Sequence, residues 1–188
     1  MDLEKFGIGN GISEIIATTR SKSGAFNAAP MGIRNQTMAR VYKASKTFEN
    51  VKETGFLAAN IVHDPMIFVI SALENLDNEY FTLFHGFPVL KDGDAWVLFE
   101  CFPQKEDSYA FTFFLKPIRA KINKKRVRAV NRGFNAVIEA AVHATRYVIT
   151  GNEELKRLID HYSSIVLRCG GEREKEAMNY LKGRISVR

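Results

Sequence analysis

The sequence predicts a β-rich α+β protein, with a barrel or sandwich of short strands followed by C-terminal helices. Three observations carry this. Through Leu115 the chain breaks into short apolar runs separated by turn residues, as in ISEIIATT, FNAAPMGI and WVLFECF. Aromatic residues make up 11% of the chain, with 14 Phe, and such side chains fit the pleated, half-buried face of a strand. From Asn131 onward the apolar period becomes helical: Phe134, Val137, Ile138, Ala141, Val142, Thr145 and Val148 fall on one face.

Taken in order, residues 12–19 form the first expected strand, introduced by the flexible Gly9-Asn10-Gly11. Residues 20–24 cluster Ser, Lys and Gly and read as a turn. Residues 26–33 read as a second strand with a fault in it. Pro30 cannot donate to a ladder and Gly32 weakens a strand interior, so an edge or bulge close to a ligand is expected there. Residues 40–44 make a short third strand. A helix of about two turns follows, with Thr47 as its cap, Asn50 at the third helical position and Gly55 as its terminator.

Residues 56–62 are an apolar strand ending at the turn signal Asp64-Pro65. Residues 66–73 are apolar and fit either helix or strand, and residues 75–80 form a polar loop. Residues 96–102 are almost continuously apolar, as in a strand buried on both faces. In residues 109–115, Tyr109, Phe111, Phe113 and Leu115 share one face. Two further helices are expected at 153–166 and 172–182, broken by Gly170-Gly171. Residues 1–130 are expected to form the barrel domain. Residues 131–188 are expected as a helical subdomain packed on it, within a single structural unit.

A chain of 188 residues supports one substantial core. No apolar run reaches the roughly 18 to 20 residues of a membrane span, and the N-terminal segment lacks a basic region followed by an apolar stretch. A cytoplasmic protein without membrane partners is expected. Cys101 and Cys169 lie outside any CxxC or Cys/His spacing, so reduced thiols and no metal are expected. The net charge of +6 concentrates in Lys116, Arg119, Lys121, Lys124, Lys125, Arg126, Arg128 and Arg132, with no acid among them. Such a run draws anions, or serves only as a solvated basic face.

The chemistry lies between Thr18 and Asp64. Here Asn27-Ala28-Ala29-Pro30-Met31-Gly32 is followed by Ser45-Lys46-Thr47 with Asn50, then by Thr54-Gly55-Phe56 leading to Asn60, Asp64 and Pro65. In order and spacing these motifs resemble the flavin-reductase-like, FMN-binding split-barrel family. Asn131-Arg132-Gly133, Glu139, Val142-His143-Ala144-Thr145-Arg146 and Arg168-Cys169-Gly170-Gly171 are similar to a largely archaeal branch of unassigned function. The resemblance implies an FMN-type split β-barrel with C-terminal helices and bound FMN. It also implies a homodimer with the flavin near the interface, and electron or hydride exchange with a small-molecule donor or acceptor. Asn131 and Arg132 of a partner subunit are then expected near the pocket.

Elementary chemistry points the same way. A helix start offers N–H groups and a positive dipole end to a phosphate. Ser45 and Thr47 add hydroxyls, Asn50 an amide and Lys46 a charge. Ala28, Ala29, Pro30 and Gly32 make a slim ribbon against which a flat ring can lie, with Asn27 and main-chain N–H groups meeting its polar edge. Met31 is placed either to pack on the ring or to fill core space, with core filling the stronger reading. Thr18 and Thr19, at a strand end, are weaker candidates for ribityl or phosphate contact.

No general acid or base stands beside these motifs. Gly7-x-Gly9-x-Gly11 has no strand before it and no helix after it, unlike a dinucleotide fingerprint. His143 shares a helix face with Glu139 and Arg146, which predicts a polar network. Two other functions compete with an FMN oxidoreductase. One is an FMN carrier or sensor without turnover. The weaker is a nucleic-acid module on KINKKRVR, which lacks interleaved aromatics.

Overall fold

Six strands close into a barrel in the order β1-β2-β3-β8-β7-β4, with every pairing antiparallel. The structure is a computed structural model that describes residues 1–186. The barrel strands are β1 (Ile12–Arg20), β2 (Phe26–Arg34), β3 (Met38–Tyr42), β4 (Phe56–Ile61), β7 (Ala95–Glu106) and β8 (Ala110–Ile122). Alternate residues point inward, because successive strand side chains leave opposite faces. Ile15, Ala17, Ile33, Val41, Leu57, Phe99 and Leu115 thereby meet in one core.

Helix α1 (Lys46–Thr54) connects β3 to β4. It is anchored by Val51 in that core and by Phe48, which stacks on Phe111 with ring centroids 5.2 Å apart. Its cap is Ser45 rather than the expected Thr47. The Ser45 hydroxyl accepts the Phe48 N–H at 3.1 Å and donates to the Tyr42 carbonyl at 2.7 Å. The helix therefore starts two residues earlier, which turns Thr47 onto the buried face. Gly55 ends it at φ +78°, in the left-handed region that favours glycine.

Residues 81–90, given no element from sequence, form a hairpin of β5 (Phe81–Phe84) and β6 (Phe87–Leu90). His85 (φ +46°) and Gly86 (φ +79°) make its two-residue turn, the positive-φ loop that suits strand twist. The hairpin packs Phe84, Phe87 and Val89 onto the outward side chains of Ala58, Trp96 and Leu98. That cover explains why residues 96–102 read as buried on both faces. Strands β7 and β8 also run further than their apolar stretches: residues 103–106 of β7 are exposed, whereas residues 116–122 of β8 pair with the buried first half of β7 and alternate less cleanly around the bulge at Ile118.

Contacts divide the chain into two units. One comprises Met1–His63 with Leu76–Arg126, and the other Asp64–Asn75 with the chain from Val127 onward. The second unit groups α2 (Pro65–Leu73) with α3 (Arg132–Thr150), α4 (Glu153–Cys169) and α5 (Glu172–Ser186). The stretch of open type, residues 66–73, is thus a helix. Asp64 caps it by accepting the Met66 N–H, and Pro65 takes the first helical position, where a missing N–H costs nothing.

The α3 core face is lined by Ala136, Ala140, Ala141 and Ala144. Gly133 lets α3 approach the start of the α4–α5 turn, since a Cβ there would lie 2.4 Å from the Gly170 Cα. Among the described residues the predicted polar network of His143 does not form: its ring stacks on Tyr162 at 5.7 Å, and its buried Nδ1 makes no hydrogen bond with any of them. Both cysteines are free thiols. Among the described residues no helix is long and apolar enough to cross a membrane, and no cluster of potential metal ligands forms.

Candidate cofactor site

The candidate residues converge where the end of β1, the start of β2 and α1 meet. Thr19 and Asn27 are cross-strand partners, so their side chains leave the sheet side by side on the same face. Thr47 and Asn50 are one turn apart on the buried face of α1. The two pairs lock together. Asn27 Nδ2 donates to Thr47 Oγ1 at 3.1 Å, and Asn50 Nδ2 donates to Thr19 Oγ1 at 2.9 Å. All four side chains lie in residues at most 8% exposed.

The direction of these bonds has a chemical consequence. Each amide is the donor, so each threonine hydroxyl keeps its own hydrogen to give. Among the described residues neither threonine hydroxyl donates a hydrogen bond to another group. The two hydroxyls can therefore donate to an anion or a carbonyl oxygen. Beside it, the N–H groups of Lys46 and Thr47 precede any intrahelical acceptor, and the exposed Lys46 adds positive charge.

Strand β2 supplies a second feature. It pairs with β1 along its whole length, whereas β3 reaches only Ile33 and Arg34. From Ala29 to Gly32 the edge turned away from β1 has no strand beside it among the described residues, and alternate backbone groups point from it. The ladder is open on this side, and Pro30 fits it because an edge tolerates a missing N–H. Ala29, Pro30, Met31 and Gly32 are all half-buried, and Met31 packs on the barrel core. The room over Gly32 is already taken: a Cβ there would meet Ile12 Cγ2 at 2.7 Å. Glycine at this position accommodates Ile12 rather than leaving open space.

Other candidates lie elsewhere. Thr18 faces away from Thr19, toward the hairpin. Its hydroxyl donates to the Pro88 carbonyl at 2.6 Å and accepts from Asn60 Nδ2 at 3.0 Å. Buried Ala28 is opposite it on β2. Asn131 and Arg132 belong to the helical unit, where the Asn131 carboxamide caps α3 through the Gly133 and Phe134 N–H groups and donates to Glu174. Ser45 holds the helix start as its cap.

Sequence reasoning assigned no role to two residues. Asn60, fully buried, donates to the Ile16 carbonyl and accepts the Leu90 N–H, keying the hairpin to the barrel. An Asn inside an apolar strand was the available signal. Arg20, the residue after Thr19, donates to the Gly86 carbonyl at 2.9 Å and forms no ion pair among the described residues. The sequence offered only a turn there.

Comparison with known proteins places these features in context. Residues 13–124 match the family described as protein of unknown function (DUF447), N-terminal domain, and residues 131–183 match the companion DUF447 segment. A crystal structure of an FMN-bound DUF447 protein from Methanosarcina mazei superposes with a TM-score of 0.91. It is 43% identical, and the match covers 97% of this chain and 100% of that one. A flavin reductase domain protein from Arthrobacter sp. FB24 matches with a TM-score of 0.50 at 9% identity, over 65% of this chain and 84% of that one. Flavoredoxin from Methanosarcina acetivorans matches with a TM-score of 0.50 at 14% identity, over 62% and 72% respectively. The last two likenesses establish the fold, a flavin-reductase-like split barrel.

Proposed function

This chain belongs to the DUF447 family, and we propose that it holds FMN and uses it as an oxidoreductase. The observation that carries FMN is the FMN-bound family member at 43% identity across nearly the whole chain. The residues fit the cofactor. The start of α1, with the Lys46 and Thr47 N–H groups and the Lys46 ammonium, takes the phosphate. The Thr47 and Thr19 hydroxyls, oriented as donors by Asn27 and Asn50, complete that seat. The open edge of β2 from Ala29 to Gly32 takes the polar rim of the ring through main-chain groups.

When bound, FMN supplies hydride and single-electron transfer. The chain's own contribution is to anchor the phosphate, shield one side of the ring and aim backbone groups at its edge. The oxidoreductase reading is supported by that division of labour and by the shared barrel of the flavin reductase domain protein. A small-molecule donor or acceptor completes the reaction.

The experiment is direct. Purified protein is expected to be yellow, with flavin absorption bands and a released chromophore of FMN mass. Colourless protein that fails to take up added FMN defeats the proposal. Reduction of the bound flavin by a reduced nicotinamide, followed by delivery to an acceptor, separates an enzyme from a carrier.

The same reading extends to a homodimer. Phe102, Phe114, Met38, Arg34 and Ile12 are successive cross-strand partners across β7, β8, β3, β2 and β1. Phe102 and Phe114 are each 37% exposed and Ile12 58%, so this row puts apolar surface in water and leads to the β2 edge. A second copy covering it would close the flavin's open side. Light scattering should then give twice the chain mass, and Phe114→Glu should give the monomer.

A further inference from the structure

The basic run is not used by the cofactor seat, and the structure gives part of it a definite shape. Lys116, Arg119 and Lys121 lie on β8, and Lys124, Lys125 and Arg126 in the segment after it. Opposite Leu98 and Trp96 on β7 stand Arg119 and Lys121, roughly 7 Å apart along the strand. They flank the face on which the β5–β6 hairpin packs.

Three of these cations have loose partners: Lys116 with Glu100 at 3.6 Å, Lys124 with Asp92 at 3.5 Å and Arg126 with Asp94 at 3.4 Å. Arg119, Lys121 and Lys125 are exposed and have no ion pair among the described residues. Exposed aliphatic surface occurs in the same unit, with Ile118, next to Arg119 in the strand, 38% exposed where the ladder bulges and Leu83 of the hairpin 56% exposed.

We propose that this ledge of Arg119, Lys121 and Lys125 is a docking surface for an acidic protein. A small anion needs a buried cradle, and these cations are spread along an open strand and loop. Nucleic-acid bases find no stacking platform here, because neither Ile118 nor Leu83 has a flat face for a base. A protein surface of mixed character, acidic around a small apolar centre, matches both parts of the ledge. Protection of the β8 edge does not account for the unpaired charge, because Pro117 and the adjacent bulge already block strand addition there. That the acidic partner is an electron carrier rests on the flavin reading above; the docking itself does not.

The test uses the full chain with a labelled acidic [2Fe–2S] ferredoxin as probe, followed by fluorescence anisotropy. Binding is expected at about 20 mM salt and should weaken at least about tenfold by about 200 mM, because charge-steered contacts are screened. The R119E/K121E/K125E variant should lose at least about tenfold in affinity at low salt, and the R119Q/K121Q/K125Q variant an intermediate amount. Unchanged circular dichroism of both variants shows that folding is intact. No binding by the native chain, or equal binding by all three proteins, overturns the proposal. So does a single-stranded oligonucleotide that binds the same ledge more tightly than the ferredoxin. Protein that binds ferredoxin through this ledge yet fails to take up added FMN would refute the cofactor reading and leave the docking surface standing.

Discussion

At the scale of single residues, the seat separates two roles that one side chain can combine. Thr47 bonds Asn27 inside the protein and, on the proposed reading, donates its hydrogen to phosphate. Thr47→Val removes the hydroxyl while keeping shape. It should weaken FMN at least about tenfold, the usual scale for a lost hydrogen bond to a charged group. Riboflavin, which lacks phosphate, should bind the variant within about twofold of the native chain. Equal losses for both ligands would mean that Thr47 serves only to seat α1. His143→Ala, in the helical unit, should leave both affinities unchanged. Cys101 offers a different test. Burial, aided by Glu100, pushes its thiol up from 9.0 to about 12. The folded state thus holds a proton that the unfolded chain releases, so its contribution to stability is intact below pH 9 and lost as pH rises to 12. The loss amounts to about 4 kcal/mol at most. In urea melts from pH 8 to 11, Cys101→Ala should be less stable overall yet fall less steeply with pH. Parallel slopes would assign alkaline destabilisation to other groups.

At the scale of elements, α1 is held by its ends as well as its face. Ser45→Ala removes the cap and should cost about 1 kcal/mol in denaturant unfolding. Gly55→Ala forces an alanine into φ +78° and should cost a similar amount. A stabilised Gly55→Ala protein would show that the turn relaxes. The sequence revealed the existence of this helix through Ser45, Thr47 and Gly55, but not which hydroxyl caps it. Ser45 and Thr47 are both good caps, and the choice was made by Asn27, a tertiary partner 20 residues away. Asp64-Pro65 was ambiguous for a related reason: the same dipeptide ends a strand and begins a helix, and only the apolar surface of the helical unit decides that α2 follows. The β5–β6 hairpin went unread because each of its strands is only four residues long and Pro88 interrupts the second. The last four residues of β7, Pro103-Gln104-Lys105-Glu106, are all exposed and carry no apolar alternation, because strand residues in water need none.

At the scale of the molecule, the two units differ in how their cores are assembled. The barrel core joins β1, β2, β3, β4, β7 and β8, whereas the helical core joins α2, α3, α4 and α5. All of the proposed phosphate and ring contacts within one chain come from the barrel unit: Thr19, Lys46, Thr47 and the β2 edge. A ligand stabilises the states that bind it, by about 2.7 kcal/mol at a hundredfold excess over Kd. Openings that disrupt the seat must therefore become rarer when FMN binds, while openings confined to other elements need not change. Native-state hydrogen exchange should then show added protection at α1, at the end of β1 and along β2. The amides of α4 and α5 should exchange at the same rate with and without FMN. Protection gained equally in α4 and α5 would mean that the helical unit opens together with the seat, and the cofactor would have to be assigned contacts on both. Protection confined to α4 and α5 would move the seat out of the barrel altogether.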